Sequence, residues 1–260
     1  MTTRSAIKPP SASDYSHLEP LPDPPKEPDM QQFIRVYSFA SILEPHFADH
    51  SDVLIAGGGY LLQNTGDSIA GSFVPDCVFV RGVRDPDAII DRNGYVISEV
   101  GKPPDFVLEV ASRSTARRDY TIKREGYSAL GVTEYWRFDH TGGRYHDAPL
   151  AGDTLVDSKY VPLPTHHEPD GLIWGHSEAL GLDLCWDDGN LRFRDPATGE
   201  FLPTPEELQT ERDAATAERD AATIERDAAT VERDAAQARA EAAEAELDAL
   251  REKLRRLQQD

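Results

Sequence analysis

Cysteine is scarce in this chain: two in 260 residues, Cys77 and Cys185. Two cysteines build no disulfide framework, and neither belongs to a Cys-x-x-Cys pair that could hold zinc. A reducing cytoplasm suits such a chain. Long apolar runs are missing as well. No stretch approaches the ~18 residues of a membrane span, and the N-terminus has no apolar leader, so we expect a cytoplasmic protein with no membrane partner. Basic residues are also in deficit, 27 against 47 acidic, for a net charge of −20. That surface repels nucleic acid unless a local basic patch offsets it.

Several catalytic signatures are absent too. There is no Gly-x-Ser-x-Gly and hence no support for a hydrolase triad. Gly57-Gly58-Gly59 is not followed by Gly-Lys-Ser/Thr and heads no Gly-x-Gly-x-x-Gly, so it reads as a turn or bulge rather than a phosphate loop. His140, His146, His166, His167 and His176 are scattered through loop-like stretches without zinc-ligand spacing. Trp136, Trp174 and Trp186 read as core.

What is present falls into three parts. Residues 1–30 are rich in proline with Ser, Asp and Glu between, the composition of an extended or disordered arm. Residues 31–204 hold the apolar runs. A helix is expected over Met30–Phe47, with Phe33, Val36, Tyr37 and Ala40 on one stripe. Short extended pieces flank the glycine triplet. Strands are expected at Phe73–Val80, Phe106–Val110, Glu134–Phe138, Tyr160–Leu163, Leu180–Cys185 and Leu191–Arg194, with a polar connection over 81–102 that holds a short extended piece at Tyr95–Ser98. A helix of about Arg117–Leu130 ends at Gly131. This mixture predicts an α/β or α+β fold with a mixed, mostly antiparallel sheet flanked by helices. From residue 205 to 260 a seven-residue unit, Glu-Arg-Asp-Ala-Ala-Thr-x, recurs from Glu211. Its a/d stripe runs from Ala214 and Ala217 through Ile224 and Val231 to Ala238, then shifts phase to Leu247, Leu250, Leu254 and Leu257. A long coiled-coil helix is expected, with homo-oligomers assembled through it. Glu and Asp fill its flanking e and g positions, except near the end, where Glu246 and Arg251 could attract across a parallel pair.

One arrangement in the middle part looks like chemistry. In Phe106–Val110, Glu109 points away from Phe106, Leu108 and Val110, and a carboxylate in an apolar strand needs a partner. Asp76, after Pro75, offers a second strand carboxylate. Two such groups on adjacent strands can share one Mg²⁺ or Mn²⁺ through oxygen. On the following helix Tyr120, Lys123, Tyr127 and Leu130 share a stripe, which should turn Lys123 inward, where an ammonium needs an anion. Arg113, Arg117, Arg118 and Arg124 form the densest basic patch outside the tail and are candidates for phosphate contacts. The bland alternatives are a turn cap for Asp76, a structural carboxylate at Glu109, and an ordinary surface pair for Asp119 and Lys123.

Pro75-Asp76, the block Pro103-Pro-Asp-Phe-Val-Leu-Glu-Val-Ala-Ser112, Ser114-Thr115, Asp119, Lys123, Tyr127 and Gly131-Val-Thr-Glu-Tyr-Trp136 resemble the Uma-type family of restriction-endonuclease-like proteins, within the PD-(D/E)XK nuclease-like superfamily. The resemblance spans about residues 50–200. It implies a restriction-endonuclease-like core and Mg²⁺-dependent hydrolysis of DNA, with Asp76 and Glu109 as metal ligands and the Val110 carbonyl as another. It implies a catalytic lysine on the helix, Lys123, since Ala111 occupies the place a Glu-x-Lys motif would give to lysine. Glu44 is the nearest match to the family's acidic residue on the first helix. A second hypothesis is a nuclease-like core without activity that serves as a scaffold through its tail.

Overall fold

The computed structural model describes residues 30–64, 67–68, 72–91, 93–113 and 115–257. The proline-rich segment, expected as an arm, lies outside them except for Met30. The chain divides into two units, one ending at Leu202 and the other beginning at Pro203.

In chain order the first unit contains α1 (Met30–His46), β1 (Leu54–Ala56), β2 (Tyr60–Leu62), β3 (Cys77–Val80), α2 (Pro86–Asp91), β4 (Gly94–Val96), α3 (Ile97–Val100) and β5 (Phe106–Val110). A helical crossover follows, made of α4 (Ala116–Arg118), a π-helical turn (Asp119–Lys123) and α5 (Arg124–Leu130). Then come β6 (Glu134–Phe138), β7 (Leu150–Val156), β8 (Lys159–Pro162), β9 (His166–His167), β10 (Ile173–Ser177), β11 (Leu182–Asp187) and β12 (Asn190–Arg194). The main sheet runs β1-β3-β5-β6-β7-β8 and a second one β12-β11-β10-β9. Within these two sheets only β5 and β6 are parallel. A parallel pair needs a crossover, and here the crossover is the helix that carries Lys123. The architecture is the mixed α+β one expected.

β5 is buried on both faces. Phe106, Leu108 and Val110 join Phe39, Ile42 and Leu43 of α1 and Leu184 and Phe193 of the second sheet in one core. Val107 joins Tyr127, Val132, Tyr135 and Tyr160 in a second core under the crossover helix. The alternation in β5 therefore separates two apolar layers, and Glu109 faces the second. Gly131, at φ 81°, ends α5 in the left-handed conformation expected of it.

Several details differ from expectation. In α1 Phe33 and Tyr37 are exposed, and the packed face is Val36, Phe39, Ile42 and Leu43. Aromatic and aliphatic residues occur on both sides of this helix, so the 3.6 period fits either face. Asp76 precedes β3 rather than lying within it. The connection over 81–102 contains, besides the expected extended piece (β4), the short helices α2 and α3. β7 carries too few β-branched residues to stand out, and its Gly152 is there for packing: a Cβ would come within 2.8 Å of the Trp136 indole.

The glycine triplet is structural. A Cβ on Gly57 would collide with the Asp76 carbonyl oxygen, so only glycine lets β1 pass this close to Asp76. Gly58, at φ 73°, donates its N–H to the Pro75 carbonyl at 3.0 Å. Together they set the backbone that carries Asp76.

The second unit is one helix, α6 (Pro205–Leu257). Thr204 caps it reciprocally: the Glu207 N–H donates to Thr204 Oγ1 at 3.2 Å, and the Thr204 N–H donates to Glu207 Oε2 at 2.7 Å, a capping box. Among the described residues no helix is long and apolar enough to cross a membrane.

Two substitutions separate close approach from backbone strain. Gly57→Ala should destabilise by about 3 kcal/mol, the upper range for overpacking, because the obstacle is backbone. Gly58→Ala has open space around it and should cost only the left-handed penalty of about 1 kcal/mol. Urea denaturation of both variants checks the order; equal losses would contradict the packing role of Gly57.

Candidate active site

Glu109 is wholly buried. Its Oε1 accepts the Tyr127 hydroxyl at 2.6 Å, and its Oε2 lies 2.7 Å from Lys123 Nζ. Lys123, 12% exposed, also lies 2.9 Å from Oδ1 of the buried Asp119. The ammonium thus bridges two buried carboxylates. Asp76 stands beside them. The β3–β5 register pairs Cys77 with Leu108, and one further step sets Asp76 across from Glu109. The Asp76 Oδ2 accepts the Val110 N–H at 2.8 Å, which anchors the carboxylate to the strand end. Three carboxylates thus surround one ammonium.

The electrostatics follow. Burial pushes the Glu109 carboxyl well above its ordinary range; Lys123 opposes this, while Asp76 and Asp119 add to it. Burial alone would lower Lys123, but attraction to Glu109, Asp119 and Asp76 outweighs it, and the ammonium is held above its ordinary range. Burial and then Glu109 push the Tyr127 hydroxyl up, so it remains a donor to Glu109.

The structure brings Asp76, Glu109, Val110 and Lys123 together. Asp119 is a full member of the cluster and no surface residue. With Lys123 and Tyr127 four and eight residues on, it sits where the helix widens into its π turn, a feature that often marks functional sites. The other face of Asp119 meets His146, whose Nε2 lies 3.0 Å from Asp119 Oδ2. His146, expected in a loop without a role, is buried. Its loop is pinned by Asp139, which accepts N–H groups of Thr141, Tyr145 and His146 and the Thr141 hydroxyl, at 2.6–2.9 Å. Burial raises the Asp139 carboxyl, yet these hydrogen bonds prevail and hold it below its ordinary range. No sequence spacing links residue 146 to residue 119, because the contact forms only when the β6–β7 loop folds back over the crossover helix.

Arg113, Arg117 and Arg118 are exposed around the helix start. Arg124 is committed elsewhere: its Nε and one terminal nitrogen grip Asp153 at 3.0 and 2.7 Å, and that terminal nitrogen also reaches the Tyr160 carbonyl. Arg137 holds the same Asp153 at 2.7 Å. Glu44 is exposed on α1, and nothing ties it to the cluster. Among the described residues no group of three or more His, Cys, Asp or Glu is arranged to hold a metal ion.

Lys123→Met should leave these carboxylates uncompensated and cost about 3–5 kcal/mol at neutral pH, the range for breaking a buried pair from one side. The sign of its pH dependence is fixed by Glu109, whose folded-state pKa lies above the ordinary 4.5. The folded chain then binds the extra proton, so stability falls as pH rises from 4.5 through the folded value. Removing the opposing cation steepens that fall. The deficit of Lys123→Met relative to the parent should therefore shrink as pH is lowered towards 4.5, read by urea denaturation across pH; a constant deficit would contradict it.

No curated protein matches the chain. A solved structure of "a putative nuclease belonging to DUF820 from Anabaena variabilis ATCC 29413" is similar at 15% identity over 56% of this chain and 72% of that chain, with a TM-score of 0.38, a level that carries no argument. The Uma2 family model, described as "Putative restriction endonuclease", matches residues 31–184, which include every member of the cluster. With more than half of its length matched, the chain belongs to the Uma2 family.

Proposed function

We propose that the chain is a divalent-metal-dependent DNA endonuclease. The observation that carries this reading is the buried Lys123 ammonium held 2.7 Å from Glu109, beside an Asp76 anchored to the same strand end.

The residues present fit Mg²⁺ or Mn²⁺. Asp76, Glu109 and the Val110 carbonyl offer hard oxygen donors, of the kind Mg²⁺ prefers alongside water. The cluster has excess negative charge, with two carboxylates on the one ammonium and Asp76 beside them. Asp76 and Glu109 would hold the ion, with the Val110 carbonyl as a further ligand. When bound, it supplies Lewis-acid polarisation of a phosphoryl oxygen and a water of lowered pKa. Tyr127 fixes the Glu109 carboxylate through its hydroxyl. Asp119 keeps Lys123 charged and in place, and Lys123 orients the attacking water and faces the charge that develops on the phosphate. In the reaction a water oxygen bonds to phosphorus and a P–O ester bond breaks. Arg113, Arg117 and Arg118 contact backbone phosphates and locally offset the acidic surface; Arg124 is omitted because Asp153 occupies it.

We assign the nuclease-like domain to residues 31–204 and a coiled coil to 205–260. Leu247, Leu250, Leu254 and Leu257 join two chains in parallel with Glu246 opposite Arg251, and the dimer would present two sites to a duplex. The two free, buried thiols support a reducing, cytoplasmic setting.

One observation favours a second reading, a scaffold without activity: Glu109 is sealed from solvent, with both oxygens engaged. Plasmid nicking with purified protein in Mg²⁺ or Mn²⁺ decides between them. Glu109→Gln, which keeps the bond to Tyr127, should lower nicking by about 10²-fold or more with little loss of melting temperature. Equal cleavage by parent and variant would sink the nuclease reading. No cleavage, together with no metal-dependent rise in melting temperature, would support the scaffold. Separately, Leu250→Asp/Leu254→Asp should convert the dimer to monomer in sedimentation; an unchanged mass would refute assembly through the leucines.

A further inference from the structure

α6 runs for 53 residues, and among the described residues nothing covers its apolar stripe. Ile224 and Val231 are 72% and 69% exposed. A helix with such a stripe is built to be covered, and the charges beside the stripe restrict what can cover it. With Ala214, Ala221, Ala228 and Ala235 at a and Ala217, Ile224, Val231 and Ala238 at d, the e positions hold Glu218, Glu225 and Glu232 and the g positions Asp213, Asp220 and Asp227. In a parallel pair of these helices g faces the following e of the partner. Asp213 would meet Glu218, Asp220 would meet Glu225 and Asp227 would meet Glu232, three repulsions against one attraction at the end of the segment, Asp234 with Arg239. In an antiparallel pair e faces e and g faces g, which is equally repulsive. The arginines do not relieve this. Those of the repeat, Arg212, Arg219, Arg226 and Arg233, occupy the outer f position, where Arg226 and Arg233 pair with the adjacent aspartates at 3.4 and 2.9 Å, exposed pairs of little worth.

The seam also has a size preference. Alanine at every a position leaves shallow holes, so an alanine-rich copy would bury little apolar area, whereas large side chains from a partner could fill them. The leucine segment differs on both counts, with large residues at a and d and opposite charges at Glu246 and Arg251.

We propose that residues 211–238 of α6 form a recognition helix for another protein: a helix with large aliphatic residues on its seam and Lys or Arg at the flanking positions. The self-pairing contact is confined to the leucine segment, and the upstream part of each α6 takes the basic helix. The chain is thereby a two-ended adaptor, joining to its own copy at the end of α6 and to a basic partner before it. This assignment is independent of any nuclease activity.

The test uses the full chain and two labelled synthetic helices of four heptads, both with Ile and Leu on the seam, one with Lys and the other with Glu at e and g. Fluorescence anisotropy should show binding of the Lys helix at least about tenfold tighter than the Glu helix. It should weaken as salt is raised, as expected of opposed charges. Ile224→Asp/Val231→Asp, both on the exposed stripe of α6, should abolish binding. Equal binding of the two helices, binding of neither, or full binding by the double variant would each overturn the proposal. So would a Leu250→Asp/Leu254→Asp chain that still sediments as a dimer, since a second copy would then be covering the upstream seam.

Discussion

Much of the first unit is arranged around one costly interaction, the contact between the Glu109 carboxylate and the Lys123 ammonium. Neither charge could stand alone at that depth. Removing a charged group from water costs several kcal/mol, and only close opposite charge and further hydrogen bonds offset it. The fold supplies both. Tyr127 donates to one Glu109 oxygen, Asp119 braces the ammonium from its other side, and the β3–β5 register brings Asp76 alongside. Glu134 makes a useful contrast. It is also buried in a central strand, but it is satisfied by neutral donors: the Ser177 hydroxyl, the Trp136 indole and the Ala179 N–H, at 2.6–3.0 Å. That carboxylate ties the two sheets together. Glu109 is instead placed among other charges, with carboxylates in surplus over the ammonium.

The backbone supports this contact from three directions. Gly57 lets β1 approach Asp76 where any side chain would collide. The crossover that a parallel β5–β6 pair requires carries the lysine over the strand holding Glu109. Its π turn places Asp119 inside with Lys123. On the far side, Asp139 gathers the loop that delivers His146 to Asp119. Arg117 and Arg118 are exposed at the start of the same crossover, and Arg113 is exposed just before it.

The second unit is organised by the opposite balance. Where the first unit buries charge and compensates it, α6 exposes an apolar stripe and surrounds most of it with one sign of charge. Its net charge contribution, 16 acidic against 9 basic residues from 205 to 260, is less informative than its pattern. Acidic residues flank the alanine seam on both edges, while the leucine end mixes signs. One helix thereby carries two edges with different partner preferences.

The sequence by itself determined the alternation of β5, the heptads of α6, the left-handed stop at Gly131 and the block from Pro103 to Trp136 that marks the family. Those are local patterns, with periods of two or seven residues or a single backbone conformation, and they are legible because their cause lies within a few residues. It also pointed to Asp76, Glu109 and Lys123, since a carboxylate in an apolar strand and a lysine on an inward stripe both demand partners. Only the tertiary structure decided which face of α1 is buried, that Arg124 belongs to Asp153, and that His146 reaches Asp119. Each of those outcomes depends on groups 27 or more residues apart, as in the Asp119–His146 and Arg124–Asp153 contacts. At that separation chain spacing carries no information, and packing alone selects the partner.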